Sequence, residues 1–242
     1  MFQGEWWFTC LAVNKCLVET GKDVVSIGVY EKILPRLLEG LGVTVQLTIY
    51  SAVLAFVIAL AVGFARLSKF KVVRFLSGIY VEFFRGTSLL VQLFWLYFVL
   101  PQLGISLPAD LTGLLALGLN YGAYSSEIVR SSILSIPRGQ TEAAIALNMT
   151  PGQRMRSVIL PQAFRIMLPS FGNQLIELLK GTSLVSLITI SDMTFAATTL
   201  RTDMNQYTPE IFGLLLILYF VIAYPLTLGV RWFERRLSTG RS

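Results

Sequence analysis

An all-α membrane domain with five spans is the fold this sequence predicts, and three observations carry that reading. Only 14% of the 242 residues are charged, against 54% hydrophobic, whereas a water-soluble domain usually carries about a quarter charged residues. The apolar residues gather into runs of roughly 20, enough for a helix to cross the hydrocarbon core of a bilayer. The charges cluster between these runs, the pattern expected where lipid is the main solvent.

Taken in order, residues 1–35 form an N-terminal extracytoplasmic or interfacial segment, with Trp6 and Trp7 as an interfacial anchor and charges from Lys15 to Glu31. The acidic start (Glu5) and the short apolar stretch before Asn14 and Lys15 do not fit a secretory leader. Cys10 and Cys16 fit either a disulfide in an oxidising compartment or two unpaired small side chains. The spans are expected at about 41–65, 87–103, 111–134, 171–193 and 211–230. Between the first two, Arg74, Ser77 and Glu82 interrupt the apolar residues, which suits a surface or re-entering helix. Residues 135–169, with Arg138, Glu142, Arg154, Arg156 and Arg165, are too polar to cross, and a loop holding Arg201, Asp203 and Glu210 joins the last two spans. Asp192, near the end of the fourth span, reads as interfacial.

Basic residues set the orientation. Arg66, Lys69, Lys71 and Arg74, the arginines of 135–169, and Arg231, Arg235, Arg236 and Arg241 fall on one side; Lys15, Lys22, Lys32, Arg36 and Arg201 fall on the other. The excess of Lys and Arg marks the cytoplasmic face. The N-terminus is then outside and the C-terminus cytoplasmic. The net charge of +6 is therefore topological and implies no nucleic acid, which would need a basic face on a soluble fold. The absence of histidine excludes the HExxH zinc motif and His-based acid–base chemistry, and no metal-ligand spacing occurs.

The stretch 141–161 reads locally as two short helices with a sharp corner. Glu142 to Leu147 are good helix formers, Asn148 suits a left-handed stop, and Thr150, Pro151 and Gln153 make an N-cap with a capping box. The second helix is expected to end near Leu160, with Pro161 and Pro169 breaking or bending the chain beyond it. Such an element either docks into a partner or packs under its own bundle. Two further groups of polar residues lie inside spans: Asn120, Tyr124 and Glu127 on one helical face, and Asn173, Glu177 and Lys180 on another. Intramembrane polar and ionisable groups are functional candidates. Glu177 and Lys180 suit a pathway for a zwitterion, or a structural pair at i, i+3; Glu127, close to Arg130, is also read as interfacial.

Glu142-Ala143-Ala144, three residues, Asn148, nine residues and Val158-Ile159-Leu160-Pro161 resemble the EAA loop of ABC importer permeases, with Asn148 where the family has Gly and Val158 where it usually has Ile. The stretches 80–92 and 172–184 are similar to the polar amino acid subfamily, and the resemblance covers about residues 35–240. It implies a type I, MetI-like importer fold over residues 36–242, in the bacterial cytoplasmic (inner) membrane. It implies that Glu142, Ala143, Ala144, Asn148 and Pro161, within the cytoplasmic loop 135–169, couple to an ATP-binding subunit. Glu142 would pair with a basic group there or cap its own helix. The implied partners are two ATP-binding subunits carrying ATP and Mg, a second permease subunit of the same or a related chain, and an extracytoplasmic solute-binding protein. No Walker A pattern occurs in this chain, so hydrolysis would belong to the partner and this subunit is no enzyme. The implied cargo is a polar amino acid; the stretch 91–98 is also similar to ectoine permeases, which keeps an amino-acid-like compatible solute open. An ion-coupled secondary transporter is the alternative of another class; it would show paired inverted repeats.

Overall fold

The computed structural model describes the backbone of residues 6–238 and the side chains of residues 30–232 and 234–236. The expectations for Trp6, Trp7, Cys10 and Cys16 lie outside the described side chains. Within these limits the chain is helical: α1 (Trp6–Arg66), α2 (Lys71–Gly86), α3 (Leu89–Phe94), α4 (Ala109–Leu134), α5 (Arg138–Ala146), α6 (Pro151–Arg154), α7 (Leu160–Gly181), α8 (Met193–Asp203) and α9 (Thr208–Ser238). A π turn (Trp95–Val99) and a 3-10 turn (Leu100–Leu103) extend α3, and a 3-10 stretch (Thr182–Ile188) extends α7.

Among the described residues, two stretches, Tyr30–Arg66 and Asn205–Arg236, are long and apolar enough to cross a membrane. Two bent pairs also qualify if each is taken as one span: Lys71–Gly86 with Leu89–Leu103, at 102°, and Pro151–Ile188 with Met193–Asp203, at 48°. Helix α4 does not pass that apolarity test, although its 26 residues extend about 39 Å at 1.5 Å per residue. The reason lies in what surrounds it. Asn120, Ser125, Ser126 and the glycines at 113, 118 and 122 are all buried against the chain's own helices, so protein and not lipid solvates this helix. Small residues permit that packing: a Cβ at Gly118 would lie 2.5 Å from Leu54 Cδ2 on α1, and one at Gly122 would lie 2.8 Å from Ile58 Cγ2.

Three apolar clusters stack along the bundle. Ile33, Leu37, Met193, Ala197, Leu200 and Ile211 form one end. Leu47, Leu93, Leu117, Val185 and Ile188 follow. Ala59, Val129, Ile133, Ile159 and Met167 form the end nearest α5 and α6. Two buried hydroxyls of α1 are satisfied by their own main chain: Thr44 Oγ1 donates to Gly40 O (3.0 Å), and Thr48 Oγ1 to Thr44 O (2.7 Å). That is how polar side chains are tolerated where water is absent.

Several local expectations need correction. Residues 89–103 are not one α-helix: α3 gives way to π and 3-10 turns, and the axis turns by 102° just before them, at the break between α2 and α3. The two prolines do not break the chain after residue 160. Pro161 lies in the first turn of α7 and Pro169 within it. The π turn at Met155–Ile159 shifts the hydrogen-bond register, with Leu160 N–H donating to Met155 O, just where an α-helical carbonyl would meet the proline ring. The helical stretch 151–188 therefore begins inside the region read as a polar loop. The loop expected around Arg201 is instead helix α8, capped by Asp192. Asp192 is not interfacial: it is fully buried, its carboxylate accepting N–H bonds from Thr194 (3.1 Å) and Phe195 (2.9 Å).

Candidate functional site

The corner between α5 and α6 is built as its sequence predicts. Asn148 holds φ +56°, a left-handed conformation that asparagine tolerates better than most non-glycine residues. Its N–H donates to Ile145 O (2.9 Å), and Met149 N–H donates to Ala144 O (3.0 Å). This pair of bonds is the Schellman arrangement, and it satisfies two of the carbonyls left open at the end of α5. Two residues later the next helix is capped. Gln153 N–H donates to Thr150 Oγ1 (3.4 Å), and Thr150 N–H donates to Gln153 Oε1 (3.0 Å). The side chain of Gln162 ties the element to α7, its Nε2 donating to Gln140 Oε1 (3.2 Å).

This rigid corner presents an apolar tip. Leu147 is 74% exposed and Ile145 54% exposed, with Glu142, Ala143, Asn148 and Pro161 also exposed. Ala144 differs: it is buried against the chain itself and only its neighbours face outward. The exposed Leu147 and Ile145 were missed as site residues in the sequence. Their signal was two large apolar side chains on a helix otherwise read as polar.

Of the intramembrane polar residues, Asn120 lies at the corner between α2 and α3. It is 4% exposed, and its Nδ2 donates to Phe84 O (3.0 Å) and Gln92 Oε1 (3.1 Å). Gln92 in turn donates to Phe84 O (3.0 Å) and Thr87 Oγ1 (2.6 Å). These amides hold the open carbonyl end of α2 where the chain bends away. In the sequence Gln92 falls within the family-like stretch 80–92 with no role of its own, although an amide in the middle of an apolar run is a signal for one. Tyr124 comes next on the same face, its hydroxyl donating to Arg85 O (3.4 Å) with the Arg85 guanidinium over its ring. Glu127 pairs with Arg66 of α1 and with Arg130 (3.3 Å), at the α5 end of the bundle. The three residues share one face as expected, and each is bonded within the chain.

The second group is arranged differently. Asn173, Glu177 and Lys180 form an exposed strip on α7. Lys180 Nζ donates to Glu177 Oε1 (3.1 Å), with side chains 60% and 61% exposed. Tyr121 of α4 fixes the strip from behind, its hydroxyl donating to Glu177 O (2.8 Å). Beside it, a cavity of ≈ 180 Å³ is lined by Tyr121, Ser125, Phe171 and Gln174 among others. A carboxylate, an ammonium and an amide thus lie open on one face of an apolar helix. Among the described residues, no group of His, Cys, Asp and Glu could hold a metal ion.

Comparison with known proteins identifies the architecture. The family described as binding-protein-dependent transport system inner membrane component matches residues 55–239. The chain is similar to a probable amino-acid ABC transporter permease, y4tF, of Sinorhizobium fredii: 46% identical over 208 residues, covering 84% of this chain and 87% of that protein. It is also similar to the L-cystine transport system permease TcyB of Bacillus subtilis, 37% identical over 210 residues, covering 87% and 90%. Among solved structures, a crystal structure of an amino acid ABC transporter with histidines superposes with a TM-score of 0.82 at 35% identity, covering 86% of this chain and 97% of that one. The inward-facing MetNI methionine ABC transporter, at 23% identity and a TM-score of 0.71, shares the fold. The chain is an integral membrane protein with helices apolar enough to span, and it belongs to the family of binding-protein-dependent transport system inner membrane components.

Proposed function

We propose that this chain is the membrane-spanning permease subunit of an ATP-driven importer for a polar amino acid, in the bacterial cytoplasmic membrane. The observation that carries the reading is the doubly capped corner at residues 144–153 with its exposed Leu147 and Ile145. A solvated loop has no use for such an apolar tip on so rigid a mount, whereas a partner's groove would bury it. Glu142, Ala143, Asn148 and Pro161 border that tip; Ala144 sets its seat on the bundle. The relatives named as amino-acid permeases support the cargo class.

In this reading five spans run with the N-terminus outside, and residues 135–169 lie in the cytoplasm. Helix α4 is the central span, and the permease domain takes in Ile33, which packs in the bundle on the continuous helix α1. ATP and Mg bind to two separate ATP-binding subunits, and an extracytoplasmic solute-binding protein delivers cargo. A second permease subunit completes the pathway. The open Glu177–Lys180 strip supports this last point, because a charge pair facing lipid is costly and one facing a partner or a water-filled path is not. Glu177 would receive the ammonium of a zwitterion and Lys180 its carboxylate, with Asn173 beside them. Tyr124 and Glu127 would line the same path from α4, while Asn120, buried and bonded to the α2–α3 corner, would support it from within the bundle.

Cysteine cross-linking tests the docking. In a chain whose Cys10 and Cys16 are replaced by serine, Leu147→Cys is expected to cross-link to a co-expressed ATP-binding subunit, and Thr198→Cys on α8 is not. Labelling of Leu147→Cys by a membrane-impermeant maleimide added outside intact cells would overturn both the docking and the orientation.

A further inference from the structure

Helix α2 presents a surface that the transport reading leaves unused. Only Ser77 and Val81 of its 16 residues are buried, and Tyr80 anchors it through a hydroxyl bond to Leu119 O (2.7 Å). The opposite face is apolar and open: Val72, Phe75, Leu76, Ile79 and Phe83, at helical spacing, are 51–69% exposed. Three exposed cations, Lys69, Lys71 and Arg74, sit at the N-terminal end of this face. Among the described residues none of the three enters an ion pair. Lys71 and Arg74 share one open groove of ≈ 970 Å³ with Phe75, Ile79 and Phe83, notched at Gly78.

We propose that this groove is a binding site for an anionic phospholipid. The phosphate would lie between Lys71 and Arg74, with Lys69 nearby, and one acyl chain would run along Phe75, Ile79 and Phe83. The order of chemistry along the helix, cations first and then an apolar strip, matches such a lipid end to end. The 102° turn into α3 keeps α2 out of line with its neighbouring span, as suits a helix lying at the interface. The position in the bundle fixes the leaflet. Arg66, five residues before Lys71, pairs with Glu127, and Leu67 packs on the cluster of Ile133 and Ile159. The headgroup end of the groove is therefore at the α5–α6 end of the bundle. A second copy of the chain fits the groove less well. The groove carries two cations, Lys71 and Arg74, against one acid, Glu82, so an α2–α2 contact would bring together an excess of positive charge.

The test uses the full chain purified with its ATP-binding subunits, stripped of lipid and titrated with phosphatidylglycerol or with phosphatidylcholine of the same acyl length. Bound lipid is counted by native mass spectrometry. Phosphatidylglycerol should bind roughly 30- to 150-fold more tightly, from two or three cations near one anionic headgroup, and the preference should shrink as salt is raised. The salt series needs no variant, so a folding failure cannot imitate it. The pair Lys71→Gln with Arg74→Gln should remove most of the preference, and Arg201→Gln, at the other end of the bundle, should leave it. Equal binding of the two lipids, an unaltered preference in the double variant, or the same loss with Arg201→Gln would overturn the proposal. So would efficient disulfide cross-linking of Ile79→Cys between two copies of the chain.

Discussion

Replacing Asn148 by valine attacks the corner between α5 and α6 without touching any exposed apolar group. Asn148 sits at φ +56°, where an L residue other than Asn or Gly is disfavoured by about 1–2 kcal/mol, and more for a β-branched side chain. A local opening equilibrium shifted by that amount grows by roughly 5- to 30-fold, since each 1.4 kcal/mol is a factor of ten. The amides that report it are those of Asn148 and Met149, which donate to Ile145 and Ala144. Hydrogen exchange of the purified complex should therefore accelerate at these two amides by about that factor, while α4 amides keep their rates. Asn148→Gly should exchange at close to the parent rate, because glycine adopts the same φ freely. Equal acceleration by glycine and valine, or none by valine, would refute the idea that this conformation sets the corner.

Other perturbations separate stability from coupling. Asn120→Leu leaves Gln92 Oε1 without its buried donor and should cost about 1–3 kcal/mol, read as a lower midpoint in thermal unfolding of the detergent-solubilised complex. Gly118→Val places atoms inside the Leu54 side chain and should cost about 1–3 kcal/mol or more as α1 and α4 are forced apart, by the same assay. Leu147→Asp, on a side chain 74% exposed, should change stability by no more than about 0.5 kcal/mol yet abolish ATP-driven uptake in vesicles.

What the sequence made legible was mostly local. The Asn148 stop and the Thr150–Gln153 capping box depend on residues within a few positions of one another, and both stand as expected. Long-range partners were not legible. Asn120 donates to Phe84 O and Gln92 Oε1, and nothing local says that its amide closes a corner on another helix. Asp192 was misplaced for a related reason. A carboxylate at a span end suggests an interface, but here it caps α8, and α1 packs directly upon the corner, with a Cβ at Gly40 only 2.8 Å from Asp192 O. Pro161 misled in the opposite sense, since only the neighbouring π turn explains how the helix passes it. Helix α4 shows the limit of hydropathy itself: its polar residues and glycines lower its apolarity, yet they are buried against the chain's own helices.

At the heart of the proposed mechanism, a separate ATPase drives this chain through the 141–161 element. ATPase activity tests this in proteoliposomes holding the chain, its ATP-binding subunits and its solute-binding protein, with and without a polar amino acid. Cargo-stimulated hydrolysis is expected in the parent, and that stimulation should be lost in Leu147→Asp with the membrane subunits still folded. Uptake of the amino acid with no ATP-binding subunit present would contradict the mechanism.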